Sequence, residues 1–297
     1  MRVEVKWTHL TRREISQQLA ERGTPAGVGV VKQLLKRHGY VKRKAQKVKA
    51  MGPRHPDRNA QFENIAQLKH EYLEAGQPVV SVDAKKKELL GNFYRDGKLY
   101  TQEAIEVFDH DFPSAAIGAV FPHGLYDVGL NCGHINLGTS HETSEFACDS
   151  IERWWQQHGH SQYPQATRLL LLCDGGGSNS SSRYVFKEEL QGLADRLGLE
   201  IRIAHYPPYC SKYNPIEHRL FPHITRACQG VVFHSVQVVK ELMEKTQTRT
   251  GLHVTVDILD KVYETGRKCA EGFKKNMKIA FDGFLPKWNY RAIPAVG

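Results

Sequence analysis

No stretch of about 18 consecutive apolar residues occurs in this chain, which argues against a helical membrane span. The opening MRVEVKWTHLTRRE lacks the apolar core of a secretory leader, so the cytoplasm is the expected compartment. Cysteine is sparse, six in 297 residues. No two have Cys-x-x-Cys spacing and none stands near a histidine in a zinc-finger pattern, so reduced, buried thiols are expected. No internal repeat or low-complexity tract is present. What the first fifth of the chain lacks is negative charge: residues 1–60 hold 15 Lys or Arg against 4 Asp or Glu. The remainder holds 26 against 28, so the whole net charge of +9 comes from the start. A basic arm on a near-neutral body suggests a polyanion grip joined to a separate working part; a solvated basic tail is the plainer alternative.

The residues present suit a soluble globular protein, with 40% hydrophobic and 25% charged. TRREISQQLAERG (11–23) predicts a short amphipathic helix through Ile15 and Leu19 that stops at Gly23. Thr24-Pro25 predicts a cap and first helical position for a second helix reaching about His38, with Val28, Val31, Leu34 and Leu35 inward and Gly39 as its stop. Two short helices around a Gly-containing turn fit a helix-turn-helix over 1–40, with Lys32, Lys36 and Arg37 facing phosphates or base edges. Residues 41–58, with Lys42, Arg43 and Lys44, read as a basic linker broken by Pro53 and Pro56 and able to follow a DNA backbone. Residues 59–75 predict an amphipathic helix through Phe62, Ile65, Leu68 and Leu73, which closes a linker-and-helix segment over 41–76.

From 77 to 297 the pattern is α/β. PVVSVDAK predicts a buried strand and GNFYRDGKLY a strand and turn. AAIGAVFPHGLYDV and GLNCGHINLG predict two further strands. SHETSEFACDSIERWWQQHG predicts a helix opened by a capping region over Ser140 to Thr143. TRLLLLCDGGGSN is the most apolar strand, RYVFKEELQGLADRLG a helix, LEIRIAHYPP a strand, and NPIEHRLFPHITRAC one helix with proline in its first turn. This order gives a mixed sheet flanked by helices.

Three acids hold informative places in that scheme. Asp83 ends the first strand, Asp174 ends Leu169–Cys173 directly before three glycines, and Glu217 lies in the first turn of the helix opened by Asn214-Pro215. A carboxylate at the end of an apolar strand is costly to bury unless it is paired or bound to a cation. If the two strands are neighbours, Asp83 and Asp174 emerge side by side, and the helix can bring Glu217 to them. Such acids repel one another until divalent cations sit among their oxygens. Two ions about 3.5–4 Å apart would clamp a phosphodiester during an in-line displacement. Taken singly, each acid has a plainer reading. Asp83 could be a turn residue before Lys85-Lys86-Lys87, and Glu217 a helix-start acid favoured by the macrodipole. Asp174 could be a turn acid or the start of a phosphate loop, although no Gly-x-x-x-x-Gly-Lys-Ser/Thr pattern follows.

SVDAKKKELLGNF, LLLCDGGGSNSSSRYVFKEEL and HYPPYCSKYNPIEHRLFPHI resemble the three catalytic blocks of DDE transposases of bacterial insertion sequences, in particular the Rhodopirellula-type transposase family. The likeness extends to HPDRNAQFENI (55–65) and KWNYRAIP (287–294), and more distantly to mariner-like enzymes. It implies a ribonuclease H-like core over 77–297 and two Mg²⁺ or Mn²⁺ ions, with Asp83 bridging both and Asp174 and Glu217 each holding one. It also implies nicking at terminal inverted repeats, then attack of the freed 3′ hydroxyl on target DNA without a covalent protein–DNA intermediate. A homodimer on DNA and a place near the nucleoid accompany that expectation. Relatives are expected to carry further residues ahead of the counterpart of Lys6-Trp7-Thr8, so 1–40 is read as a shortened recognition region.

Secondary candidates are Lys85, with Lys86 and Lys87, at DNA phosphates, and Ser178 and Asn179 at the scissile phosphate. His205, His218 and His223 lie near the third block, where a buried or surface histidine is the expected role for each and His218, next to Glu217, is the first to test; Trp154 and Trp155 read as core or rim aromatics. Two other functions fit the same residues: a transposase-derived DNA-binding protein without catalysis, and a ribonuclease H-like nuclease that cuts without joining.

Overall fold

A computed structural model describes residues 7–43, 55–176 and 183–295. The chain divides into two compact units, 1–50 and 51–297. In the first, α1 (Arg12–Glu21) opens with a capping box in which Thr11 and Glu14 satisfy each other's backbone N–H groups. Gly23 at φ +77° ends it, with the Gly23 and Thr24 N–H groups returning to Ala20 and Leu19. Thr24 lies in the closing turn of α1 and does not cap the next helix as expected. That helix, α2 (Val28–Arg37), begins three residues later with Gly27 as N-cap. Of its four expected inward residues only Val31 is buried. Leu35 is half-buried, while Val28 and Leu34 are more than 40% exposed.

The second unit is built on one sheet. Helix α3 (Arg58–Glu74) precedes β1 (Val79–Ala84), β2 (Glu88–Leu90), β3 (Gly118–Asp127) and β4 (Cys132–Gly138). Helix α4 (Ser144–Trp154) runs through a π-helical turn (Trp155–Gly159) into α5 (His160–Gln162). Then follow β5 (Arg168–Cys173), α6 (Tyr184–Leu197), β6 (Glu200–His205), α7 (Pro215–Arg219), α8 (Phe221–Ala227), α9 (Val236–Glu244), β7 (His253–Leu259), α10 (Phe273–Asn276), β8 (Ile279–Phe281) and β9 (Asn289–Ala292). The strand order is β7-β4-β3-β1-β5-β6-β9-β8, with β2 paired to β3. Strands β1, β5 and β6 are parallel, and β3 runs against both β1 and β4. The five central strands therefore form the expected ribonuclease H-like mixed sheet.

Alternation along β1 sorts its side chains between two layers. Val80 and Val82 pack with Cys148 and Ile151 of α4 and Phe186 and Leu190 of α6. Val79 packs with Ile65, Leu68 and Tyr72 of α3 and with Leu170 and Leu172 of β5. Ser81 and Asp83 share the Val79 face, as Asp174 shares that of Leu170 and Leu172. On α3, Tyr72 is buried where Leu73 was expected, and Leu73 is 39% exposed. Gln61, fully buried, donates to the His205 carbonyl at 2.9 Å and exchanges hydrogen bonds with Asn289, tying α3 to β6 and β9.

Two expected elements differ. Residues 91–100 carry no strand, because Gly91 and Gly97 take φ of +127° and +139°. At Gly97 a Cβ would lie 2.6 Å from the Gly230 backbone nitrogen. The single helix expected over 214–228 breaks at Leu220. Pro222 cannot donate to the preceding turn, so α7 stops and α8 starts. Among the described residues no helix is long and apolar enough to cross a membrane.

Candidate active site

Asp83 is the next residue after the paired positions Val82 and Cys173, and on β5 the corresponding next residue is Asp174. The parallel pairing thus sets the two acids side by side at one edge of the sheet. Asp83 is 8% exposed, and one carboxylate oxygen accepts the Ala84 N–H at 2.8 Å. Its pKa is pushed up to about 8. Burial is the main cause, followed by the negative charges of Asp174 and Glu217. A hydrogen bond shared with Glu217 acts in the same direction. Asp174 is half-buried and accepts the Gly176 N–H at 3.2 Å. No described Lys, Arg or His forms an ion pair with any of the three acids.

Glu217 stands where it does because β1 holds the start of its helix. Ser81 Oγ donates to Asn214 Oδ1 at 2.5 Å and accepts the Ile216 N–H at 3.0 Å. The Asn214 amide donates to the Val82 carbonyl at 3.2 Å. Ser81 and Asn214 are both fully buried, so these bonds form in a dry region where breaking one leaves a partner unsatisfied. Neither residue was singled out from the sequence as a support. The usable signal was a serine inside an otherwise apolar strand, two residues before the acid. Asn214→Ala is expected to lower stability by about 1–3 kcal/mol through the orphaned Ser81 hydroxyl; chemical denaturation checks this, and an unchanged midpoint would remove Asn214 from the support.

Two glycines let the helix approach. Gly124 is paired with Asp83 across β1 and β3. A Cβ there would lie 2.7 Å from the Phe221 ring and 2.8 Å from Ile216 Cδ1. On β4, a Cβ at Gly133 would lie 2.5 Å from Leu220 Cδ1. The α7–α8 segment therefore rests directly on bare backbone. Behind Asp174, fully buried His205 holds the Asp174 carbonyl through Nδ1 at 2.9 Å and the Tyr290 hydroxyl through Nε2 at 2.9 Å.

The donor set suits a hard divalent cation: three carboxylates, one of them buried, with no cationic side chain of the described residues paired to them. As the side chains stand, no three His, Cys, Asp or Glu among the described residues are close enough to make a finished ligand group. The three acids thus gather at one edge, within electrostatic reach of each other, without closing around a point. Such an arrangement can hold a cation once the oxygens are drawn together.

The remaining expected residues are scattered more widely. Lys32, Lys36, Arg37, Lys42 and Arg43 are exposed in the first unit. Lys44, Ser178 and Asn179 lie outside the described residues. Lys85 is in an ion pair with Glu88, which also binds Arg95 at 2.6 Å, while Lys86 and Lys87 are exposed. His218 is exposed and His223 half-buried. Trp154 and Trp155 are core residues, 3% and 6% exposed. Cys148, Cys173, Cys210 and Cys228 are buried, and all six cysteines are free thiols.

A family model described as the Rhodopirellula transposase DDE domain matches residues 1–294. No curated protein matches the chain. Among solved structures, the chain is similar to the Mos1 transposase paired-end complex with left transposon end, at 12% identity and TM-score 0.48, covering 82% of this chain and 73% of that one. It is also similar to the mariner Mos1 paired end complex with Mg, at 14% identity and TM-score 0.49, with the same two coverages.

Proposed function

The chain belongs to the Rhodopirellula-type DDE transposase family, and from that premise we propose that Asp83, Asp174 and Glu217 are its catalytic metal ligands. The reading is supported above all by Asp83: a buried carboxylate faced by two others, and by no cationic partner among the described residues, is unfavourable in a merely structural role. Two Mg²⁺ or Mn²⁺ ions bound there would supply Lewis-acid stabilisation of the attacking and leaving oxygens of a phosphodiester. In this reading Asp83 on β1, Asp174 after β5 and Glu217 on α7 would together hold the ions. Ser81 and Asn214 fix the spacing of Asp83 and Glu217. No side-chain nucleophile is needed, since water and then the 3′ hydroxyl of the nicked strand attack phosphorus.

DNA is the proposed partner, as element ends and as target, with two protomers bridging the two ends. Residues 1–40 would read DNA through Lys32, Lys36 and Arg37. Lys42, Arg43 and Lys44 would add contacts to the DNA backbone, while α3 packs on the sheet as part of the second unit. Because Lys85 is committed to Glu88, phosphate contacts in that run would fall to Lys86 and Lys87.

Asp174→Asn and Glu217→Gln are each expected to abolish Mg²⁺-dependent strand cleavage of a plasmid carrying the DNA that flanks the gene, with duplex binding retained. Cleavage at the wild-type rate by either variant would end its assignment. Joined product in the wild-type reaction separates a transposase from a nuclease that only cuts. Binding with no cleavage in Mg²⁺ or Mn²⁺ would point to a protein that has kept only its grip on DNA.

A further inference from the structure

Strands β4 and β7 are parallel, and Gly138 pairs with Leu259, so β7 ends at the same edge of the sheet as β1 and β4. The chain leaves that edge at Asp260 and returns as β8 at Ile279. In between it crosses the first turns of α4 and α6, the two helices that start from the carboxylate edge. Its anchors are specific. Tyr263 is 1% exposed, its hydroxyl donates to Asp149 at 3.0 Å, and its N–H donates to Ser140 Oγ at 3.0 Å. Ser140, expected to help open α4, is therefore engaged by this strap, while Thr143 caps the helix. Lys261 pairs with Glu145 and Asp149, both at 2.8 Å. Arg267 pairs with Glu145, Glu188 and Glu189, and the Ala270 N–H donates to Glu188 at 3.0 Å.

The inward cations of the strap are thus matched by acids on α4 and α6. Lys268, Lys274 and Lys275 are different: they are exposed, and none is in an ion pair with a described residue. Lys274 lies 4.4 Å from the ring centre of Tyr184, the first residue of α6, and the Lys187 ammonium approaches the same ring at 5.5 Å. Residues 266–278 hold five Lys or Arg against one acid, in a body that is otherwise slightly acidic beyond residue 60. Structural ion pairing accounts for Lys261 and Arg267, whereas Lys268, Lys274 and Lys275 have no such pair among the described residues, and Lys274 has only its contact with the exposed Tyr184 ring.

We propose that Lys268, Lys274 and Lys275 form a rail that binds the phosphate backbone of duplex DNA at the carboxylate edge of the sheet, on the α4–α6 side, opposite the layer that carries Glu217. The partner class rests on the DNA-transposase reading above; the position of the rail does not. A rail on that side would hold the duplex from the flank that α7 leaves open, through charge alone and without reading sequence.

The test is the salt dependence of binding of the full-length protein to a short mixed-sequence duplex. Replacing all three lysines by alanine is expected to reduce the slope of log affinity against log salt by about 2 to 3, near 0.9 for each phosphate no longer neutralised. Replacing all three by arginine should restore the wild-type slope. The same alanine changes should leave the thermal midpoint nearly unchanged, since these side chains make no ion pairs with described residues and Lys274 touches only the exposed Tyr184 ring. An unchanged slope in the alanine variant, or no recovery with arginine, overturns the rail. Retained cleavage in Asp174→Asn would instead defeat the catalytic reading, and a wild-type protein that binds no duplex at low salt would defeat both.

Discussion

Asp83→Asn should abolish metal-dependent strand cleavage, by about a thousandfold or more given the several kcal/mol that bound cations supply, while making the metal-free protein more stable at pH 8. The second half distinguishes a functional acid from a structural one. In the folded protein Asp83 titrates near 8, mainly because it is buried and then because Asp174 and Glu217 oppose its charge. In the unfolded chain it titrates near the ordinary value of 3.8. Between those values the native state holds the extra proton, so the stability this group contributes is full below about pH 4 and falls as pH rises to about 8.

Three buried histidines act in the opposite sense. His123, His134 and His205 are each pushed down to about 4, in every case chiefly by burial. The unfolded chain binds their protons first, so their contribution grows as pH rises from about 4 to 6.5. The two effects overlap in acid and separate above pH 6.5, where Asp83 dominates among these four groups. Metal-free wild type is expected to lose on the order of 2 kcal/mol between pH 6.5 and 8, at about 1.36 kcal/mol per pH unit. Asp83→Asn should lack that decline, and Mn²⁺ should reverse it in the wild type alone. Denaturation midpoints across this range, with and without Mn²⁺, decide the matter. Parallel curves for wild type and variant would refute the assignment.

Gly124→Val should be the most damaging change away from the acids. Its side chain would occupy space held by Ile216 and the Phe221 ring, and overpacking of this kind costs about 1–3 kcal/mol. The more important consequence is geometric, because α7 must lift from the sheet and carry Glu217 with it. A shift near 1 Å in a catalytic group can lower turnover about a hundredfold. Gly192→Ala is the matched control. It lies in α6, and its new methyl group meets only the flexible end of Arg196, at 3.3 Å. Cleavage should survive there and fail at Gly124. Equal activity in the two variants would show that the close approach of α7 to β3 has no bearing on turnover.

The elements that proved legible are those whose signal is local. Strands β1, β5 and β6 are short apolar runs that end at Ala84, Cys173 and His205, beside Asp83 and Asp174, and α6 is closed by Gly198 in the left-handed conformation. The mixed sheet followed from that pattern, while the adjacency of the strands that carry Asp83 and Asp174 was only a condition in the sequence and is supplied by the parallel pairing of β1 with β5. The misreadings occurred where local and tertiary preferences compete. Thr24 looked like a cap because it precedes Pro25, yet the next helix starts only at Val28, behind Gly27. Tyr94 and Tyr100 suggested a strand, but the positive φ angles at Gly91 and Gly97 turn that segment into a loop. The alternating HVTVDIL of β7 was legible and went unread. Ser81 carries a local signal as a serine inside an apolar strand, whereas Gln61, Asn214 and the glycines at 124 and 133 act through partners distant in the chain and leave none in their neighbours.

Helix α7 is only five residues long, too short to persist in water by its own backbone bonds. Its start is fastened to Ser81 and Val82, immediately beside Asp83. The first and third acids of the triad, 134 positions apart along the chain, are therefore mechanically one part, and a displacement of either drags the other. Asp174 is attached through a different strand and followed by glycine, so any adjustment to a larger or smaller cation would be absorbed on its side of the cleft.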